Sequence, residues 1–139
     1  MNLFLIVDVT KPRQITFFLF FNNKKKAAKI FKSKHPNFLV LFDKFLSARK
    51  KRLEKLACIV LLAGEGSFSN VRQAAAVLNM IKLIKKIPLL ILDKRNYLNE
   101  EYIFAAARDG FKKGAFVFIK PIYFKEPNIS KSKITKPKN

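Results

Sequence analysis

At 139 residues the chain has room for one hydrophobic core, and half of its residues are hydrophobic, 15 of them Phe, which excludes the disordered class. Against 9 acidic residues stand 29 Lys plus Arg, a formal charge of +20, so a polyanion is the first expected partner, nucleic acid ahead of an anionic membrane surface. The lone Cys58 excludes an intrachain disulfide, the start Leu3 to Val7 lacks the basic flank of a secretory signal, and no apolar run approaches the roughly 18 residues of a membrane span, so a cytoplasmic protein with no membrane partner is expected.

Leu3 to Val9 reads as a buried strand and Lys11-Pro12-Arg13 as a turn. Gln14 to Phe21, rich in β-branched and aromatic residues, and Ala27 to Lys32 read as the next two strands of an antiparallel meander, joined at Asn22-Asn23. Pro36 stands where helices begin, and Phe38, Leu41, Phe42, Phe45 and Ala48 recur at helical spacing up to the basic Arg49 to Arg52 end. Leu56 to Ala63 is an apolar run suited to a strand buried on both faces, followed by the glycine-bearing loop Gly64 to Ser69. A second helix is expected from about Asn70 to Lys86, capped by Ser69 or Asn70 and stopped by Pro88. Leu89 to Leu92 then makes a short strand, and strand, helix, strand implies a parallel crossover in a mixed sheet. Asn99 caps a third helix with Glu100 and Glu101 in its first turn and Lys112-Lys113-Gly114 at its end. Ala115 to Ile119 looks extended, Pro121 to Pro127 looks like an anchored peptide, and the Lys-rich end from Lys131 reads as a disordered tail.

Only six of the 29 cations are Arg, and Lys is spread along the whole chain, a pattern poorer in the planar forks that read bases. The Lys-rich surface could meet tRNA or other nucleic acid, or be a solvated face produced by compositional bias. The helices carry a second signal. On the helix from Asn70, Val71, Ala74, Leu78 and Ile81 fall on one side, while Ala76, Met80, Leu83 and Ile84 fall largely on another. On the helix from Phe38, Leu39, Phe42 and Leu46 extend the apolar arc beyond Leu41, Phe45 and Ala48. A helix on a sheet needs only one stripe, so the excess reads as a surface covered by another protein. The competing reading is that the C-terminal helix and Phe-rich tail wrap both helices.

Catalytic readings are weaker. A Gly64 to Ser69 loop opening a helix could cradle phosphate, but it lacks the Lys of a P-loop, and a tight structural turn is the plainer reading. A metal-dependent nuclease would need clustered carboxylates, for which Asp8, Asp43 and Glu65 lie on suitable elements, although Asp43 falls outside its helix's apolar arc. The single His35 cannot build a histidine metal site and reads as part of a helix start. Ser67 and Cys58 lack an evident base and orienting acid, so no catalytic residue, metal or cofactor is proposed.

The order three strands, helix, strand, glycine loop, helix, strand is that of one lobe of the ribonuclease H-like and actin-like superfamily. The segment Ile59 to Arg72, Ile-Val-Leu-Leu-Ala-Gly-Glu-Gly-Ser-Phe-Ser-Asn-Val-Arg, resembles the IAVGIGPGSFTGLR signature of the TsaB (YeaZ) family, with Gly64, Gly66, Ser67, Phe68, Ser69 and Arg72 carrying the match. Ile6 to Thr10 resembles the family's AIDTS, His35 to Leu39 its HSELLLP, Ile87-Pro88-Leu89 its NIPLV, and Lys120 to Ile129 its closing PLYLRKPEAT. Glu65 stands where the family has Pro and Asn70 where it has Gly. The match runs over about residues 1–92 and 100–130, and the family's second lobe has no counterpart between them. What the resemblance implies is a single α/β, ribonuclease H-like lobe (actin-like ATPase superfamily) over 1–130, a mixed five-stranded sheet with flanking helices and the C-terminal helix packed back, then a basic tail over 131–139. It further implies a non-catalytic scaffold for TsaD, with the ATPase TsaE, in threonylcarbamoyl modification of adenosine 37 of tRNA. The expected partner interface is then Leu39, Phe42, Leu46, Ala76, Met80, Leu83 and Ile84, shared with TsaD or, in isolation, with a second copy of the chain. A basic nucleic-acid-binding module and a metal-dependent nuclease stay open as alternatives.

Overall fold

The strand β1 (Leu3–Asp8) is apolar on both sides, and it occupies the place such a strand needs, the middle of a sheet. A computed structural model describes residues 3–21, 24–49, 53–64 and 68–116. Along these, β2 (Gln14–Phe21), β3 (Lys24–Lys32), α1 (Phe38–Ala48), β4 (Leu56–Ala63), α2 (Phe68–Lys85), β5 (Leu89–Asp93) and α3 (Glu100–Lys113) follow in turn. The strands form one mixed sheet in the order β3-β2-β1-β4-β5. β1 runs antiparallel to β2, with Ile6 opposite Phe18, and parallel to β4, with Ile6 opposite Val60. β4 and β5 are also parallel, the pairing that a helical crossover through α2 requires.

The period of two along each strand sorts the core into two layers. On one face Leu5, Val7, Ile15, Phe17, Leu19 and Leu61 meet the buried sides of α1 and α2. Phe17 is the centre of this layer, its ring 5.2 to 6.2 Å from those of Phe31, Phe38, Phe42 and Phe45. On the other face Phe4, Ile6, Cys58, Val60 and Leu90 meet Ile103 and Ala107 of α3, and Phe111 closes on Phe4 with ring centres 5.2 Å apart. The third helix therefore packs back onto the sheet, but on the side opposite α1 and α2, and does not wrap them. No described helix is long and apolar enough to cross a membrane.

Several boundaries follow the sequence pattern and several depart from it. The ends of α3 fall as expected: Asn99 Oδ1 accepts from the Tyr102 amide at 3.3 Å, and Gly114 takes the left-handed conformation, φ 69°, that lets its amide and that of Ala115 close the last turn. β3 begins at Lys24, three residues before the expected Ala27, because an edge strand pairs through its backbone while its lysines reach solvent. Their stems cover aromatic surface, with Lys25 Nζ 5.4 Å from the Phe18 ring centre and Lys26 Nζ 5.9 Å from that of Phe21. The cap of α1 is Asn37, whose Oδ1 accepts from the Val40 amide at 3.2 Å, so Pro36 and His35 precede the helix. α2 starts at Phe68, which places Ser69 and Asn70 inside it and not at its cap. Of the expected extended segment from Ala115 to Ile119 only Ala115 and Phe116 are described, and neither is in a strand; its remainder, the Pro121 to Pro127 peptide and the 131–139 tail lie outside the described residues.

Candidate partner-binding face

Helix α2 is apolar on two sides for two different reasons. At 100° per residue Val71, Ala74, Ala75, Leu78 and Ile81 fall within one arc, and all five are buried against the sheet and α1. Ala76, Met80, Leu83 and Ile84 are centred about 180° away from that arc, so they face outward. Met80 is 47% exposed, Leu83 59% and Ile84 66%, and Ala76 is exposed beside them. Ordinary solvated helices carry charge on this side, yet here Arg72 and Gln73 flank an aliphatic stripe.

The neighbouring α1 behaves differently from expectation. Phe42 and Leu46 are 3% and 5% exposed and belong to the core, not to a surface. The reason is that α1 packs against α2 as well as the sheet, with the Phe38 amide donating to Gln73 Oε1 at 3.1 Å, so its buried arc has to be wider than a sheet alone demands. Of the three residues expected on its outer side only Leu39 is exposed, at 50%, and it is joined by Val40 at 57%. Val40 was not singled out by the sequence reading. The available signal was its helical position, about 200° from Phe38, on the side occupied by Lys44 and Ser47.

The glycine-bearing signature is only partly in view. Gly64 follows the last residue of β4, and an added Cβ there would meet Asp93 Oδ1 and Thr10 Cγ2 at an ordinary 3.7 Å, so crowding does not demand glycine. Glu65, Gly66 and Ser67 lie outside the described residues, Phe68 and Ser69 open α2, and Arg72 is exposed on it. Asn70, at the position where the family string has Gly, is 2% exposed, and its side-chain amide donates to the carbonyls of Lys11 and Gln14 at 3.4 and 3.3 Å. This side chain ties the start of α2 to the β1–β2 turn.

Of the three carboxylates considered for a metal-dependent nuclease, Glu65 lies outside the described residues, and Asp8 and Asp43 do not converge. Asp8 Oδ1 accepts from the Thr10 amide at 2.9 Å and hydroxyl at 2.6 Å, while Oδ2 pairs with Lys94 Nζ at 2.6 Å. Asp8 lies on the α3 face of the sheet and Asp43 on the exposed side of α1, across the sheet, so the two cannot share a metal ion. Among the described residues no group of three His, Cys, Asp or Glu is placed to hold one. Asp93 is engaged locally: the Arg95 guanidinium beside it, at 2.6 Å, and the Arg95 amide hold its carboxyl below the ordinary 3.8. Such a shift strengthens the ionised form in the folded state, so its contribution is present above the unfolded pKa and fades as pH falls through the folded one.

No family model matches the sequence, and no curated protein matches it. Solved structures do. A Pseudomonas aeruginosa protein described as uncharacterized with similarity to peptidase YeaZ superposes with a TM-score of 0.57 at 18% identity, over 67% of this chain and 44% of its own. YeaZ from Pseudomonas aeruginosa gives a TM-score of 0.57 at 17% identity, over 66% of this chain and 45% of its own. The chain thus spans less than half the length of either solved protein. At this identity the likeness carries architecture: the mixed five-stranded sheet with helices on both faces is a YeaZ-like lobe of the ribonuclease H-like fold.

Proposed function

We propose that this chain is a non-catalytic scaffold that binds TsaD through the outward side of α2, with Leu39 and Val40 of α1 as its flank, in the threonylcarbamoyl modification of tRNA. The observation that carries the reading is the stripe of Met80, Leu83 and Ile84 held in water opposite a complete core side. Covering a fully exposed aliphatic side chain is worth about 1.5–3 kcal/mol, so three half-exposed ones supply a driving force of a few kcal/mol for a docking helix. Ala76 adds little area, but its small side chain lets a second helix approach closely. The YeaZ-like fold supports the choice of TsaD over an arbitrary partner, since the sequence resembles a family whose members assist it. The same stripe suits a second copy of the chain when TsaD is absent.

Co-purification with TsaD from the same source tests the reading. Wild type is expected to co-elute at a fixed stoichiometry, and Met80→Glu, which puts a charge into the stripe without entering the core, is expected to fold with an unchanged melting temperature and lose the complex. Co-elution of Met80→Glu at wild-type yield would contradict it. Tight, salt-sensitive binding of tRNA with no affinity for TsaD would favour a basic nucleic-acid module instead.

A further inference from the structure

The α3 face of the sheet is covered unequally. Ile103, Ala107 and Phe111 close over β1, β4 and β5, and Phe104 and Glu100 of α3 reach Phe20 of β2 and Lys25 of β3, while the part of the β2–β3 edge around Thr16 and Ile30 is left uncovered. There Thr16 lies beside Ile30 and Phe18 beside Ala28, and these four form the floor of an open groove of about 520 Å³. Ile30 is 52% exposed, Ala28 is exposed and Phe18 is half-buried, so the floor is an apolar surface that water reaches.

The rim is cationic. Lys11 comes from the β1–β2 turn, Lys25 from the edge strand and Lys94 from the chain after β5, while Lys29 meets the groove only along the strand edge, its ammonium lying 5.9 Å from the Phe31 ring centre on the other face of the sheet. The two acids of the rim are already engaged, Asp8 by Lys94 at 2.6 Å and Glu100 by Lys25 at 3.0 Å. Lys11 has no acidic partner among the described residues, so three lysines face two acids and the groove keeps a surplus of positive charge in a chain of net +20.

An apolar, partly aromatic floor within a lysine rim matches a ligand that is flat and apolar in its middle and anionic along its length. We infer that the groove binds an unpaired stretch of nucleic acid: Lys25 exchanges its exposed pairing with Glu100 and swings off the Phe18 ring, a base rests on Phe18 and Ile30, and Lys11 and Lys25 reach the flanking phosphates. Single strands are held this way elsewhere, by stacking platforms set in basic grooves. A duplex offers only phosphates and would leave the floor wet, and a lipid surface calls for a protruding apolar element, whereas this one is recessed. The volume is that of a small-ligand site, enough for one or two nucleotides. The groove is on the opposite side of the sheet from the α2 stripe, so it stands independently of the TsaD reading.

Fluorescence anisotropy with a labelled oligouridylate of about 12 nucleotides tests the inference on the full chain. Lys11→Ala with Lys25→Ala is expected to weaken binding about tenfold or more and to reduce the salt slope of log K by about 1.4, two phosphate contacts at roughly 0.7 each. Lys44→Ala with Lys112→Ala removes the same charge away from the groove and is expected to change affinity less than about threefold. Phe18→Leu, which keeps the apolar volume, is expected to cost about five- to tenfold with the slope unchanged, because stacking carries no counterion term. Oligothymidylate separates the sources: parity means either strand is accepted, and a loss above about tenfold assigns RNA. Equal weakening by the control pair, no effect of Phe18→Leu, or preference for duplex, for phosphatidylserine vesicles or for polyglutamate would overturn the inference. Melting curves on every variant separate lost binding from lost fold.

Discussion

The Cys58 thiol lies on β4 in the layer between the sheet and α3, wholly removed from solvent, and burial pushes it up to about 12, opposed in part by the Lys82 ammonium. At pH 8 the folded protein therefore holds almost no thiolate, and the reactive form arises only on unfolding. Labelling by a disulfide reagent at pH 8 is expected to run at the unfolding rate, on the order of a thousandfold slower than in guanidinium, where the ordinary thiol pKa returns. Immediate labelling of the native protein would contradict the burial. The sign of the pH effect follows: the neutral thiol favours the folded state, the advantage is complete below the unfolded pKa, and it is lost as pH rises toward the folded one. Asn70 is the other residue whose environment dictates an outcome. Its amide satisfies two turn carbonyls from inside the protein, so Asn70→Ala is expected to cost about 1–3 kcal/mol in urea unfolding, with the loss concentrated in the β1–β2 turn.

Helix α2 is followed by Lys86, a non-glycine residue at φ 61° whose amide donates to the Lys82 carbonyl at 3.1 Å and closes the last turn. The left-handed conformation costs an L-residue roughly 1–2 kcal/mol, and glycine at this helix end is free of that penalty, so Lys86→Gly is expected to raise stability by up to about 1 kcal/mol in thermal melts. Between its ends, α2 was legible from periodicity: the core side named by Val71, Ala74, Leu78 and Ile81 is buried, and Ala76, Met80, Leu83 and Ile84 are exposed. β1, β2 and β4 were also legible, because a continuous apolar run leaves little choice but a central strand. Phe42 and Leu46 were not. The width of a buried arc depends on what packs beside the helix, and nothing local to α1 announces that α2 does. The first three residues of β3 were hidden for a related reason, since edge pairing uses the backbone and the Lys24-Lys25-Lys26 side chains read as solvated. The Phe18–Ile30 groove needed two alternating strands in register and a third helix that leaves part of their edge uncovered, a conjunction of elements that no single segment encodes.

At the scale of the molecule, the sheet separates two surfaces of different chemistry. One presents the aliphatic stripe of α2 and the tip of α1, and the other presents a lysine-rimmed groove beside α3. On the proposals made above, an arrangement of this kind suits a bridging role, one side for a protein and the other for a polyanion. The central claim is the protein-binding side. Hydrogen–deuterium exchange of this chain with and without TsaD tests it most directly: slowed exchange confined to peptides covering 39–40 and 76–84 is the expected result, and unchanged exchange there, at TsaD concentrations where the chain otherwise binds it, would contradict the account.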